Sequence, residues 1–484
     1  MPANEYAGKN MNQQVFEQAR LSRDARLDGR FFTAVKTTGI YCRPICPVKA
    51  PKSRNVQFFT TAAAASEAGF RPCLRCRPES SPGTPAWAGT SATVSRGLRL
   101  ISEGALDQEG SVETLSDRLG VTPRHLSRLF LQHLGASPIA IAQTRRLHFA
   151  KKLLDETDLP MTEIALSAGY GSVRRFNDHI KSVYGRTPSI LRNRTATREV
   201  SSFRLRLPYR PPYDYQGVIN FLALRATPGV EVVQDGRYER SIRVGVETGR
   251  LIVTHQPLHN LLLCEIRLGS SKHLMNVVEK VRRMFDLNAD PMEISSCLAS
   301  DPNLASAVER NPGLRIPGTW DPFEVLVRAI VGQQISVKGA TTVMGKIVRD
   351  FGEIADGQYL FPSPESLAGL VPANLPMPAA RARAIADSAR AVVRKEVDLA
   401  TQDTAALVTQ LTGIKGVGPW TAQYVAMRAI NDPDAFLHTD LVLRKVAASR
   451  LSLTNDRALL ARADAWRPWR AYAGMYLWSM ANGI

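Results

Sequence analysis

LTGIKGVGPWTAQYVAMRAINDPDAFLHTD, residues 411–440, is the stretch that decides how this chain reads. It opens on a glycine hairpin, Gly413-Ile-Lys-Gly416-Val-Gly418, with apolar residues on both sides. Glycine permits the left-handed backbone and close approach that a tight turn needs. Beyond Pro419, residues Thr421, Ala422, Val425, Ala426 and Met427 recur at helical spacing. The stretch therefore predicts two helices joined by a hairpin. The amides of Gly416 and Gly418 then lie at a helix N-terminus, where they suit a phosphate. Further on, the apolar-flanked run Ala435-Phe-Leu-His-Thr-Asp-Leu-Val-Leu holds a single acid, Asp440. The same aspartate is placed to cap a helix starting at Leu441.

Working outward, the totals set limits. A chain of 484 residues is expected to fold as about three or four domains. Its formal net charge of +18 calls for a polyanion, nucleic acid or an anionic membrane. No run of eighteen apolar residues exists to span a bilayer. The opening MPANEYAGKNMNQQVF lacks an apolar signal core, so the expectation is a cytoplasmic protein with no membrane partner. Of six cysteines, Cys42, Cys46, Cys73 and Cys76 form two close pairs, which in a reducing compartment favours a metal over disulfides.

Two thiolate pairs separated by a small fold are how a tetrahedral zinc site is built, so zinc is the expected cofactor, held by Cys42, Cys46, Cys73 and Cys76. Four thiolates around one dication leave a net charge of minus two and an electron-rich sulfur. Lys36, Arg43, Lys49, Lys52, Arg54, Arg71, Arg75 and Arg77 crowd the pairs and predict a phosphate surface. The phrases RFFTAVKTTGIYCRPICPVKAPKSRNVQFF and AGFRPCLRCRP resemble the N-terminal methyl-acceptor domain of the Ada response proteins. That resemblance implies that Cys42 takes a methyl group from a methylphosphotriester in DNA. It also implies phosphate contacts at Thr38, Lys49 and Arg71, with lysine at position 49 where the family usually has arginine. Lys49 would then offer a point charge in place of a bidentate fork. Methylating one thiolate takes the site from minus two to minus one and should raise DNA affinity.

PESSPGTPAWAGT, residues 78–90, reads as a linker. Beyond it the pattern is helical and repeats. Val112–Leu119 and a helix started by Thr122-Pro123 form one pair, with Arg124, His125 and Arg128 outward and Leu126, Leu129 and Phe130 inward. Met161–Ala168 and a helix carrying Arg174, Arg175 and Asn177 outward form the second, and a long helix, Pro138–Leu154, connects them. The repeat and its closing Tyr184-Gly-Arg-Thr-Pro188 phrase resemble the AraC-type DNA-binding domain. Such a domain can set two recognition helices in successive major grooves of promoter DNA.

From Ser201 the signal turns to strands: Ser202–Leu207 and Ser241–Val246 alternate, while Leu251–Thr254 and Leu261–Ile266 are apolar runs. Helices are expected near Gln216–Arg225 and Lys272–Phe285. Cys264, in a strand run, and Cys297, in a helical one, read as buried bystanders. The rest is helical pattern. The hairpin and its aspartate resemble the helix-hairpin-helix DNA glycosylases. With PPYDYQGVINFLALRA, MFDLNADP, RIPGTWDPFEVLVRAIVGQQISVKGA and WRPWRAYAGMYLWSMAN, residues 203–484 resemble the bacterial AlkA-type 3-methyladenine glycosylases. The resemblance implies Asp440 as catalytic carboxylate. Trp420, Tyr424, Trp478 and Phe221 would line the base pocket, and Gln334 would stand where members wedge an apolar residue into the duplex. Strand-cutting relatives carry lysine at the position of Trp420, so no lyase step is expected. No cysteine follows Cys297, so no iron–sulfur cluster is expected in the helical half. No Pro-Cys-His-Arg phrase occurs, so no O6-methylguanine transferase is expected.

The expected fold class is multidomain and mainly α with α+β parts. Residues 1–80 form a small four-cysteine zinc domain and 91–195 a tandem helix-turn-helix domain. Residues 201–290 form a small antiparallel sheet domain and 291–484 a helix-hairpin-helix glycosylase domain. The expected function is monofunctional excision of alkylated bases, joined to methylphosphotriester sensing and transcription activation. The expected partners are double-stranded DNA, alkylated or at promoters, and RNA polymerase, with the chain a monomer. The alternative reading is a transcription regulator whose glycosylase half has become an inactive DNA-binding platform.

Overall fold

A computed structural model describes residues 13–82, 92–107, 110–192, 202–371, 375, 377–401 and 403–481. It is multidomain and mainly helical with sheet parts. The chain groups into two compact units. One takes the residues up to Pro211 with Gln256–Glu279, the other Pro212–His255 and everything from Lys280 on.

In the first unit, the strands Phe32–Val35, Ile40–Cys42, Val56–Phe59 and Arg71–Pro72 make a sheet in the order third, first, second, fourth. Gly39, at φ +64°, closes the turn between the first two. The last strand runs parallel to the second, pairing Ile40 with Arg71 and Tyr41 with Pro72. That register delivers both cysteine pairs to one end of the sheet. The helix Gln13–Ser22, which periodicity did not suggest, stacks Phe16 on Phe31 at 4.3 Å. A domain this small needs such aromatic area, because its core is otherwise mostly alanine.

The helix pairs follow their caps. Ser111 caps Val112–Leu119, Thr122 caps Pro123–Leu134, Ser137 caps Pro138–Glu156 and Ser172 caps Val173–Tyr184, each accepting from a backbone amide. Gly120 and Gly169 take positive φ in the two turns. Leu126 and Phe130 are fully buried with Leu129 packed against their cluster, and Phe176 and Ile180 are fully buried in the second pair.

The four-cysteine domain is docked on these helices, which no motif announced. Tyr41 Oη lies 3.0 Å from His148 Nε2, Thr61 donates to Leu134 O at 3.0 Å, and Ser137 donates to Glu67 at 3.0 Å. Burial pushes His148 down to about 4, so it is neutral at pH 7 and suited to a phenol partner. The expected linker is shorter than its composition suggests. Pro78–Ser80 is a 3₁₀ turn whose Glu79 is buried beside Lys151, while Arg77 pairs with Asp155 at 2.7 Å. Residues 83–90 of that stretch lie outside the described residues. The strands Phe203–Pro208 and Leu261–Leu268, also in this unit, pair antiparallel. Glu156 accepts from the Arg206 amide at 3.0 Å.

In the second unit, Glu231–Gln234, Arg237–Val244 and Glu247–Gln256 form an antiparallel meander. The alternation read through Val246 overshoots: the strand stops at Val244 and Val246 is 98% exposed at the turn. The strand Glu231–Gln234 escaped notice because it is short and polar at both ends. Among the described residues, the remainder of this unit is helices and the loops that join them, apart from the two-residue strands Ile354–Ala355 and Gln358–Tyr359. Cys264 is fully buried, whereas Cys297 is half-buried on the helix Pro291–Leu298 and so is not the core residue its apolar context predicted.

Candidate functional site

The sulfurs of Cys42, Cys46, Cys73 and Cys76 all lie within 4.8 Å of one another, and each residue is at most 9% exposed. A tetrahedron with bonds of about 2.3 Å has edges of about 3.8 Å, so four thiolates at this spacing fit zinc in number, softness and size. The Arg43 amide donates to Cys76 Sγ at 3.3 Å, and the Arg43 side chain pairs with Asp28. Arg43 and Arg77 are thus internal struts and leave the expected phosphate surface. Lys36, Lys49, Lys52, Arg54, Arg71 and Arg75 remain exposed, as does Thr38.

Arg124 and Arg128 on Pro123–Leu134, and Arg174 and Arg175 on Val173–Tyr184, are all exposed on the first two turns of their helices. Arg174 keeps only a loose 3.8 Å pair with Asp178, so it is free to exchange partners. Changing either Arg124 or Arg174 to alanine is expected to weaken DNA binding by about 1–3 kcal/mol if it reads a base. If it meets only phosphate, the salt slope of binding should fall by about one instead. Titrations at several salt concentrations separate the two.

The hairpin lies between the helices Thr404–Thr412 and Pro419–Ala429. Only Gly416 takes a left-handed φ, +92°, and a Cβ there would meet Ala384 Cβ at 3.0 Å. Gly418 caps the second helix in an extended conformation with nothing within 4 Å of a Cβ, leaving open space for an approaching group. Asp440 caps the helix Leu441–Leu451: Oδ1 accepts from the amides of Val442 at 2.9 Å and Leu443 at 3.0 Å. Two indoles complete its shell. Trp478 Nε1 donates to Oδ1 at 3.1 Å and Trp420 Nε1 to Oδ2 at 2.9 Å. So the structure brings Asp440, Trp420 and Trp478 together, with the tryptophans as clamps on the acid. Tyr424 stacks on Trp420 at 5.2 Å and 11°, too close to admit a third ring between them. The two rings form one wall. Phe221 carries guanidinium groups of the protein's own: Arg225 lies 3.7 Å and Arg428 4.7 Å from its centroid.

Gln334 is exposed, with φ +57°, and accepts from Arg381 at 3.3 Å. Sequence reasoning missed its neighbour. Gln333 Nε2 donates to Gly416 O at 3.0 Å and to Thr421 Oγ1 at 3.1 Å, tying this loop to the hairpin. A glutamine beside a tight loop is the only signal the sequence offers. Gln333→Ala is expected to cost about 1 kcal/mol in the two bonds. It should slow single-turnover base excision about fivefold or more while leaving the melting curve cooperative.

Three family models match: the metal binding domain of Ada over residues 16–79, a helix-turn-helix domain over 115–194 and the AlkA N-terminal domain over 204–321. The chain is 43% identical over 471 residues to the probable bifunctional transcriptional activator/DNA repair enzyme AlkA of Mycobacterium tuberculosis, covering 95% of this chain and 94% of that protein. It is 32% identical over 279 residues to DNA-3-methyladenine glycosylase 2 of Escherichia coli, covering 56% of this chain and 95% of the relative. Among solved structures, the 3-methyladenine DNA-glycosylase from Archaeoglobus fulgidus shares the fold of 57% of this chain, with a TM-score of 0.51 and 21% identity. Among the described residues no helix is long and apolar enough to cross a membrane.

Proposed function

Since the chain belongs to the family of bifunctional transcriptional activator/DNA repair enzymes AlkA, a DNA glycosylase joined to a four-cysteine zinc domain and a helix-turn-helix regulator, we propose which residues carry each activity. Asp440 is the catalytic carboxylate of base excision. The observation that carries this reading is its hydrogen-bond shell. Oδ1 is committed to two amides and Trp478, whereas Oδ2 accepts only from Trp420 and keeps acceptor capacity for a substrate.

An alkylated base leaves the duplex stack, at lower cost where its pairing is already weakened. It then lies against the Trp420–Tyr424 wall, with Trp478 beside Asp440 and Phe221 at the far side. A cationic base such as 3-methyladenine departs as a neutral leaving group. The C1′–N bond breaks, its electron pair goes to the base nitrogen, and positive charge builds on the sugar beside the carboxylate. Water adds at C1′ and loses a proton. Gln334 fills the vacated space, and the amides at Gly416 and Gly418 hold a backbone phosphate. The test is release of free alkylated base from methylated duplex by the full chain; absence of release from folded protein would favour the inactive platform.

Cys42, Cys46, Cys73 and Cys76 hold zinc, which keeps the sulfurs as thiolates. Cys42 Sγ attacks the methyl carbon of a methylphosphotriester held by Thr38, Lys49 and Arg71. The S–C bond forms, the C–O bond breaks, and its electron pair restores the anionic phosphodiester. The site's charge falls from minus two to minus one, and Arg124, Arg128, Arg174 and Arg175 hold promoter DNA more tightly. Mass spectrometry should find one added methyl on Cys42 after incubation with methylphosphotriester DNA. A methyl on Cys46, Cys73 or Cys76 instead would reassign the acceptor. The working boundaries are 1–80, 91–195, 201–290 and 291–484, in a cytoplasmic monomer that meets RNA polymerase when activating.

A further inference from the structure

Arginine carries only donors. Arg428 Nη1 lies 2.7 Å from Tyr424 Oη, so the phenol oxygen accepts and its own proton must leave in another direction. Arg428 cannot swing away, because its other nitrogens donate to Pro317 O and Gly318 O and the residue is buried. Arg225, also donor-only, is a second cation close to the phenol. No described residue accepts the Tyr424 proton, although the residue is 6% exposed. A buried hydroxyl in this state lacks one partner.

The surroundings say what that partner is. Arg225 and Arg428 already occupy Phe221, so the far side of the proposed base site is a place of fixed positive charge. A third cation gains little there. When a cationic base departs it becomes neutral, and a donor has no growing charge to stabilise. When an uncharged base departs, negative charge spreads onto its oxygen and ring nitrogens, and a donor is worth most in that transition state.

We propose that Tyr424, turned by Arg428, is the specificity-determining donor of the base site, and that it serves uncharged damaged bases presenting an acceptor atom. Arg428 is a positioning residue; Tyr424 touches the base. The inference rests on reading Asp440 and its tryptophans as a base-excision centre. The electrostatics agree with the geometry. Burial alone would push the Tyr424 hydroxyl up, but the charges of Arg428, Arg225 and Arg328 outweigh it and draw the group below its ordinary value, which makes a stronger donor.

The test is single-turnover base release by the full chain from two duplexes, one containing deoxyinosine, whose leaving base hypoxanthine is uncharged, and one containing cationic 3-methyladenine. Tyr424→Phe keeps the ring and removes the proton. It should slow hypoxanthine release about tenfold or more and lower the ratio of hypoxanthine to 3-methyladenine release about fivefold or more. Arg428→Met leaves the phenol in place but lets it turn. It should reduce the ratio of the two rates about threefold or more, and it serves if Tyr424→Phe melts early. Equal slowing of both substrates in either folded variant would overturn the proposal, as would failure of the native chain to release hypoxanthine. If the native chain releases neither base, the base-excision reading itself has failed.

Discussion

Replacing Asp440 with asparagine will reduce alkylated-base release by about a thousandfold or more while leaving the protein folded. The two halves of that expectation have separate causes. Asparagine is as good a helix cap as aspartate, so its side-chain oxygen can keep the bonds from Val442 and Leu443 and the helix Leu441–Leu451 should persist. The charge beside the sugar disappears. The amide nitrogen must also face an indole, since Trp420 and Trp478 donate to opposite oxygens and an amide has only one. A donor set against a donor leaves one half-buried N–H without a partner, at about 1 kcal/mol. The variant should therefore melt a few degrees earlier and cooperatively. Single-turnover rates and a melting curve on the same preparation check both parts. Retention of a tenth of the native rate would remove Asp440 from the chemistry.

Stripping zinc will unfold the four-cysteine domain. The core around the four cysteines is small: Ile40 and Val48 pack against the sulfurs, and the rest is a short sheet with an alanine-rich helix. Structural zinc on four thiolates contributes about 10–16 kcal/mol of folding free energy, more than so small a core supplies. A strong chelator, or Cys73→Ser, should make residues up to about Ser81 sensitive to protease. Binding releases protons from the thiols, so apparent zinc affinity should fall as pH drops. The meander and helices from Pro212 on contain neither these cysteines nor their partners, so base release should continue. Protease resistance of the chelated four-cysteine domain would show that its fold does not depend on the metal.

The parts of this molecule that were legible in the sequence share a cause. Local chemistry fixes them within a few residues. The cysteine spacing, the Thr122-Pro123 helix start and the glycine in each helix-turn-helix needed no knowledge of distant contacts. The hairpin glycines divide between two physical reasons: Gly416 takes the left-handed backbone, whereas Gly418 is extended and leaves space for close approach. What was not legible is what forms across long separations. Tyr41 and His148 stand 107 residues apart, and Gln333 and Gly416 83 apart. Nothing local marks Arg43 as a partner of Asp28 when seven other basic residues crowd the same region. Phe221 illustrates the point most clearly. Its aromatic character was evident, but the two guanidinium groups on its ring come from four residues along its own helix and from a helix two hundred residues away.

We propose that one chain holds two separate alkylation chemistries. That proposal is tested most directly by one reaction with two readouts. Full-length protein is incubated with methylated duplex DNA, then free alkylated base is counted by chromatography and methylated Cys42 by mass spectrometry, for the native chain, Asp440→Asn and Cys42→Ala. Native protein should score on both readouts, Asp440→Asn on the methyl alone and Cys42→Ala on the free base alone. Free base released at the native rate by folded Asp440→Asn, or lost in folded Cys42→Ala, would contradict the account.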